Sequence, residues 1–286
     1  MAVLRVFPRR TKATPDDDYV AIGEPGLFIP EHITEIHVSV TFSWDIPEAE
    51  RITKAWSKTG IAPVFLGGPC IGSSKPADKF IPGMYLKKGY TITSRGCNNN
   101  CWFCNVPERE GKLKELEIKE GNIVQDNNLL ACSKKHIEAV FDMLANQPRA
   151  VLSGGIEAEL FKPWHLDLFE KAKIQEAFFA YDTPDDLPPL EEASRLLHTS
   201  NWYRPAKARC YVLCGYPGDT IAKAEKRCMT ALKLGFFPFA MFFRDKNGKQ
   251  VKDCDWKAFQ RTWARPAAIN CIARKQKLLK GGDCHV

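Results

Sequence analysis

A chain of 286 residues with 44% hydrophobic and 26% charged side chains has an ordinary globular composition. It is long enough for one large α/β domain, or for a compact domain preceded by a smaller one. No apolar run approaches the ~18 residues that a membrane span needs, and the first residues form no apolar signal segment. We therefore expect a cytoplasmic protein with no membrane partner. The net charge of +7 permits an anionic substrate, nucleic acid among the candidates, without requiring one.

The front of the chain, residues 1–85, predicts a small α/β unit followed by a linker. Residues 33–42 alternate and are rich in β-branched side chains, which indicates a strand. Residues 49–58 carry a helical pattern, and residues 62–66 indicate a second strand. Because strand, helix and strand follow one another within roughly 35 residues, they predict a βαβ unit with a parallel strand pair.

From residue 89 the pattern restarts as a longer alternation of strands and helices. We predict strands at 90–94, 150–153, 177–181, 209–213 and 237–244. We predict helices at 133–146, 190–198 and 220–234, with Ser133 as the N-cap of the first. This alternation is typical of a parallel sheet with helices outside it, and the apolar strands fit burial on both faces. We assign 86–268 to this core, with a last helix broken by Pro266, and 269–286 to a basic tail.

Eleven cysteines in a chain without an export signal favour metal binding or catalysis over a disulfide framework. Three of them, Cys97, Cys101 and Cys104, lie close together in the sequence as a C-x3-C-x2-C run, and the others are dispersed. The run directly follows a predicted strand, and in β/α folds the loops after the strands carry the catalytic groups. Three thiolates close together suit a soft metal or an iron–sulfur cluster. With three local ligands, one iron of a [4Fe–4S] cluster is left open.

Two other interpretations of the cysteines stay open at this point. A zinc-binding or interaction module without catalytic activity would need a fourth ligand, and Cys132 and His136 are candidates because i, i+4 spacing puts them on one helix face. An iron–sulfur electron carrier would instead take a distant cysteine as its fourth ligand.

The segment TSRGCNNNCWFCNVPEREG, residues 93–111, resembles the cluster loop of the radical S-adenosylmethionine (SAM) superfamily. That family has the same C-x3-C-x2-C signature, commonly with an aromatic residue before the third cysteine, here Phe103. The resemblance implies that Cys97, Cys101 and Cys104 hold a [4Fe–4S] cluster, that SAM chelates the fourth iron, and that Phe103 lies near the adenine. It also implies one-electron cleavage of SAM to a 5′-deoxyadenosyl radical, with a reductant such as flavodoxin or ferredoxin.

The fold that the resemblance implies is a partial (β/α)6 TIM-type barrel preceded by the small α/β unit. The alternation of strands and helices alone also fits a doubly wound sheet. The substrate and the catalytic residues cannot be identified from the sequence, because many radical reactions share the same core.

Further cofactor contacts are expected where later strands end. Ser153, Gly154 and Gly155 occupy the place of a family Gly-Gly-Glu turn that contacts the SAM amino group, although Ile156 here separates the glycines from Glu157. Asp182 ends the next strand and suits the ribose or the substrate, or else a simple turn. Gly215 opens a Gly-Tyr-Pro-Gly turn of a kind that contacts SAM in the family. The predicted cofactor-binding residues are Phe103, Ser153, Gly154, Gly155, Asp182 and Gly215.

Overall fold

The structure is a computed structural model that describes residues 2–72, 81–245, 247–251, 253–276 and 278. The chain divides into two compact units. The first contains residues 1–90 with 246–248, and the second contains residues 91–245 with 249–286. Most of the predicted linker at 72–83 lies outside the described residues. Among the described helices, none combines the length and apolarity needed to cross a membrane.

The first unit is a four-stranded parallel sheet with one long helix packed on it. Its elements are β1 (Ala2–Phe7), β2 (Val20–Ile22), β3 (Ile33–Ser39), α1 (Ile46–Ser57) and β4 (Val64–Gly67), and the strand order is β2-β1-β3-β4. The prediction of β3, α1 and β4 is confirmed, whereas β1 and β2 were not predicted. Alternate residues of β1 and β3 are buried together with Ile52 and Trp56 of α1, so one face of the sheet and one stripe of the helix form this core.

The second unit is built on a six-stranded sheet. Its strands are β5 (Tyr90–Thr91), β8 (Ile123–Val124), β9 (Val151–Ile156), β10 (Glu176–Tyr181), β11 (Ala208–Cys214) and β12 (Phe237–Phe242). The strand order is β12-β11-β10-β9-β8-β5, and each neighbouring pair from β8 to β12 is parallel. A separate antiparallel pair joins β6 (Ser94–Arg95) to β7 (Lys114–Glu115).

The helices of the second unit are α2 (Val106–Glu110), α3 (Lys134–Ala145), α4 (Pro163–Lys171), α5 (Leu187–His198), α6 (Ile221–Lys233), α7 (Cys254–Trp263) and α8 (Pro266–Lys275). Helices α3 to α6 connect the successive parallel strands from β8 to β12, whereas α2 lies between β6 and β7, and α7 and α8 follow β12. The predicted helices α3, α5 and α6 are confirmed, and Ser133 caps α3 as predicted, because its Oγ accepts the backbone N–H of His136 at 3.2 Å. Helix α4 was not predicted.

The strand order separates the two sheet topologies that the sequence left open. In a doubly wound sheet the order reverses at a switch point, where the chain returns to the middle of the sheet. Here the spatial order from β5 to β12 follows the chain order without reversal, which is the order of a (β/α) barrel segment. The predicted α/β class is confirmed, with parallel sheets in both units.

Burial of the central strands corrects one expectation. Strand β11 is buried along nearly its whole length, as predicted, but β10 alternates, with Ala177, Phe179 and Tyr181 buried and the residues between them half-buried. On the buried side of β10, Phe179 packs against Phe161 and Phe236, whereas Phe178 and Ala180 on the other side are only half-buried. The opposite side of β10 is therefore left partly open.

The C-terminal boundary also differs from the expectation. Residues 269–275, which the sequence assigned to a basic tail, belong to α8, because Ile269 and Ala273 are fully buried on one face of that helix. Pro266 stands at the first position of α8, where its ring is tolerated, so it begins a helix rather than breaking one.

Candidate functional site

The three clustered cysteines lie on the loop between β6 and α2. All three are partly accessible. The loop is closed by short backbone hydrogen bonds, from Cys97 N–H to the Gly111 carbonyl at 3.1 Å and from Cys104 N–H to the Cys101 carbonyl at 3.0 Å. It enters through Gly96, whose φ of +80° suits glycine. A Cβ there would lie 2.2 Å from the Lys112 carbonyl oxygen, so the loop folds tightly against its own exit.

The three sulfurs share one electrostatic environment. Burial raises the pKa of Cys101 to about 11, and the neighbouring Cys104 and Cys97 act in the same direction. Burial also raises the pKa of Cys104, opposed by a backbone hydrogen bond from Val106 and supported by Cys97. Burial first, and then the charges of neighbouring sulfurs, disfavour the thiolate forms of Cys101 and Cys104, and a cation bound beside them would favour those forms.

A buried carboxylate fixes the backbone just ahead of the loop. Asp126 follows β8 and is 3% exposed. It accepts the Thr93 backbone N–H at 2.6 Å, the Thr93 hydroxyl at 2.5 Å and the Ser94 hydroxyl at 2.8 Å. Since a buried carboxylate must be hydrogen-bonded to be tolerated, these three donors hold strand β6 at a defined position.

The two residues after Asp126 extend this connection into the loop. The Asn127 side-chain oxygen accepts a hydrogen bond from Arg95 at 3.1 Å. The Asn128 amide nitrogen lies 3.9 Å from the Cys97 sulfur and also donates to the Glu157 carboxylate. The Asn128 side-chain oxygen is buried and finds no hydrogen-bond partner among the described residues. No local sequence pattern marks the contact of this polar triplet with the cysteine loop.

The predicted turn at 153–155 lies beside the same segment. The Ser153 hydroxyl donates to the Val124 carbonyl at 3.0 Å, which ties β9 to β8. A Cβ on Gly154 would lie 1.9 Å from the Asp126 carbonyl oxygen, whereas a Cβ on Gly155 would meet nothing within 4 Å. Gly154 is thus required for packing against Asp126, while Gly155 borders open space. A small pocket here is lined by Val124, Asp126, Leu129, Leu152, Gly154, Gly155 and Ile156.

Asp182 follows β10, and its carboxylate interacts electrostatically with the cysteine loop. Its Oδ1 accepts the backbone N–H of Leu213 at 3.1 Å. Burial, followed by repulsion from Asp186, raises the pKa of Asp182 to about 7. Asp182 also acts to raise the pKa of both Cys101 and Cys104. The structure therefore brings this predicted residue into the electrostatic neighbourhood of the cysteines.

The remaining predicted residues lie on two loops. The backbone N–H of Gly215 donates to Asp219 Oδ2 at 2.8 Å, which closes the turn after β11. Phe103 is half-buried, and its ring meets that of Trp102 at 5.4 Å, edge to face. Cys214, the last residue of β11, is fully buried in the core.

The proposed zinc ligands do not join the cluster. Cys132 is buried, which raises its pKa to about 11, and its charged neighbours are Asp126 and Glu115 rather than the loop cysteines. Across the described ranges of the chain, no three His, Cys, Asp or Glu side chains are gathered closely enough for one metal ion. In a cubane each cysteine binds a different iron, so such a ligand set is more widely spread than that of a zinc ion.

The comparisons with known proteins bear on the fold. No protein-family model matches the sequence, and no curated protein matches it. Among solved structures, the chain is similar to the radical S-adenosylmethionine methyltransferase TsrM from Kitasatospora setae with cobalamin and a [4Fe–4S] cluster bound. The TM-score is 0.55 at 11% identity, over 85% of this chain and 75% of that chain.

A second structure of TsrM, with its tryptophan substrate and the SAM analogue aza-SAM bound, gives a TM-score of 0.53 at 13% identity. The match covers 85% of this chain and 72% of that chain. The chain thus shares its α/β fold with this neighbour. At such low identity the likeness is one of fold, and it is the neighbour that is known to bind these ligands.

Replacing Gly154 by alanine tests the packing of β9 on the Asp126 segment. The added Cβ would overlap the Asp126 carbonyl oxygen, so we expect Gly154→Ala to lower the free energy of unfolding by about 1–3 kcal/mol or more. Gly155→Ala is the matched control, because its Cβ would enter open space. Equal stability of the two variants in a denaturant titration would contradict this packing.

The raised pKa of Asp182 makes stability depend on pH. With a pKa near 7 in the folded chain and an ordinary value of 3.8, the folded state binds the extra proton between about pH 4 and 7. The stability contribution is therefore full below pH 4 and is lost as the pH rises through 7. We expect Asp182→Asn, which keeps an oxygen acceptor for Leu213, to be more stable than the parent at pH 8, with the difference shrinking steadily as the pH falls towards about 4. If the thermal midpoints of Asp182→Asn and the parent changed with pH in the same way, this contribution of Asp182 to stability would be excluded.

Proposed function

We propose that this chain is a radical SAM enzyme in which Cys97, Cys101 and Cys104 hold a [4Fe–4S] cluster that cleaves SAM reductively. The observation that carries the proposal is the C-x3-C-x2-C run of three partly accessible cysteines on a loop after a strand, within a fold similar to that of a radical SAM enzyme. When bound, the cluster and SAM supply a 5′-deoxyadenosyl radical that begins modification of the substrate.

The donor set fits this group by its chemistry. Three cysteine sulfurs suit iron of a cubane, and bound iron would favour the thiolate form of Cys101, whose pKa is raised by burial and by the neighbouring Cys104 and Cys97. Asn99 N–H and the Asn128 amide reach the Cys97 sulfur at 3.4 and 3.9 Å. Hydrogen bonds of this type tune the potential of sulfur-ligated clusters.

The residues around Cys97 also offer acceptors for a cation. The Asn128 side-chain oxygen is buried without a partner among the described residues, and the Glu157 carboxylate lies against the amide of the same residue. A SAM ammonium group would satisfy both acceptors, which gives Glu157 a role despite its shifted place after the glycines. In this proposal Ser153, Gly154 and Asp126 position the turn.

The other predicted contacts complete the proposed cofactor site. Gly155 borders open space, and Phe103 lies on the cysteine loop. Asp182 is the nearby carboxylate for ribose hydroxyls or substrate, and Gly215 opens the turn after β11. An electron donor such as flavodoxin or ferredoxin is the proposed partner, since the chemistry needs one electron for each cleavage.

Removing one cysteine tests the proposal directly. After anaerobic reconstitution, we expect the parent chain to contain about four irons, to absorb near 400 nm and to release 5′-deoxyadenosine from SAM with dithionite. Cys101→Ala should lose the absorbance and the product together, because two thiolates cannot hold the cubane.

The matched control is Cys271→Ala, which removes an exposed cysteine of α8 and should change neither readout. Colourless parent protein with one zinc would favour the non-catalytic module instead. Iron-loaded parent protein that never cleaves SAM would favour an electron carrier.

Asn128 provides a second test, through the reduction potential. A donor to the Cys97 sulfur stabilises the more negative, reduced cluster, so we expect Asn128→Ala to shift the midpoint potential to more negative values. Asn99→Ala is the control, since the backbone N–H of Asn99, not its side chain, contacts that sulfur. Spectroscopic redox titration measures both, and an unchanged Asn128→Ala potential would mean that this amide does not act on the cluster.

A further inference from the structure

Trp102 is an exposed tryptophan in the middle of the cysteine loop. It stands between Cys101 and Phe103, and its relative exposure is 61%. The other six tryptophans of the chain, all within the described residues, are buried or half-buried. Burial of an indole ring stabilises a folded protein several times more than burial of a small side chain does. An indole that stays exposed among other aromatic rings therefore indicates a ligand or partner.

Aromatic rings from three separate segments meet at Trp102. Phe103 approaches at 5.4 Å and Tyr216, from the turn after β11, at 5.5 Å, both in edge-to-face geometry. Phe243, just after β12, lies at 5.7 Å with a tilted ring. These four residues form an aromatic surface at the carboxyl ends of two strands, where β/α folds bind their substrates.

Tyr216 is held rigidly from its other side. The Arg227 guanidinium lies 5.1 Å from the centre of the Tyr216 ring. Its two terminal nitrogens are occupied by the Asp219 carboxylate, at 2.7 and 3.1 Å, and by the Leu213 carbonyl, at 2.8 Å. Arg227 is therefore engaged in supporting an aromatic ring and is not free to bind an anion. Such backing gives the surface the preorganisation of a binding site.

We propose that the aromatic surface formed by Trp102, Phe103, Tyr216 and Phe243 binds a planar aromatic ring of the substrate. This inference rests on the proposed function, because the bound ring would contact Trp102, the residue that follows the proposed cluster ligand Cys101. A planar ring matches the surface, since indole and phenol faces attract other π systems more strongly than saturated rings of the same size. An exposed area of about one indole suits a single ring and is far smaller than a protein interface.

Two sources of such a ring share this chemistry, namely an indole-type side chain and a nucleobase. The test uses each with an uncharged saturated counterpart: indene, the carbocyclic analogue of indole, against octahydroindene, and uridine against 5,6-dihydrouridine. Binding to the full chain is measured by anaerobic titration calorimetry with SAM at saturation and without reductant, so that the adenine site is filled. The iron content of each sample is recorded.

We expect one planar compound to bind, with its saturated counterpart at least about tenfold weaker. Trp102→Leu should weaken the binding of the planar compound by about 5- to 150-fold, the range that single stacking contacts give. Trp102→Phe, which keeps a π face, should retain most of the affinity. Which planar compound binds identifies the source of the ring.

The inference is overturned if planar and saturated compounds bind equally or if Trp102→Leu matches the parent. It is also overturned if no planar compound binds to protein with its full iron content, or if rings bind only when SAM is absent. Failure of the proposed function would look different, because the iron content or 5′-deoxyadenosine release would be lost in the parent chain itself.

Discussion

The Asp126 carboxylate is the constraint on which the candidate site depends. Its three hydrogen bonds to Thr93 and Ser94 fix the strand that leads into the cysteine loop, and its own backbone is covered by Gly154. A buried carboxylate that lacked these donors would lower the stability of the folded chain. The three hydrogen bonds are therefore needed together. The next residues, Asn127 and Asn128, then reach Arg95 and Cys97. One short segment after β8 thus sets where three sulfurs can lie.

Features that depend on residues close together in the sequence could be predicted, whereas contacts between residues far apart in the sequence could not. The C-x3-C-x2-C spacing is a local pattern, as are the periodicities of α5 and α6, and the Ser133 cap. The contact from Asp126 to Thr93 spans 33 residues and leaves no local signal. Strand β8 has only two residues, too few for any alternation to be visible. Gly154 was predicted as a cofactor contact, whereas its close approach to the Asp126 backbone is a contact that only the folded chain reveals.

The Asp182 carboxylate both joins two strands and changes the electrostatics of the candidate site. The Leu213 N–H holds it across β10 and β11, while burial and Asp186 favour its protonated form. The same position increases the negative field at Cys101 and Cys104. An arriving cation would favour the charged form of all three groups. Under the proposed function, binding of a sulfonium ligand and release of a proton from Asp182 are therefore linked, since each favours the other.

The cysteine loop is supported from two sides that do not share residues. On one side the Asp126 segment holds its entry, and on the other Tyr216, braced by Arg227, meets Trp102. Because Trp102 directly follows Cys101 in the chain, a shift of the aromatic surface must also move a proposed cluster ligand. A ring bound against Trp102 would consequently restrain the loop that holds the cysteines. Substrate recognition and the geometry of radical formation would then be coupled through a single peptide bond rather than through a long path.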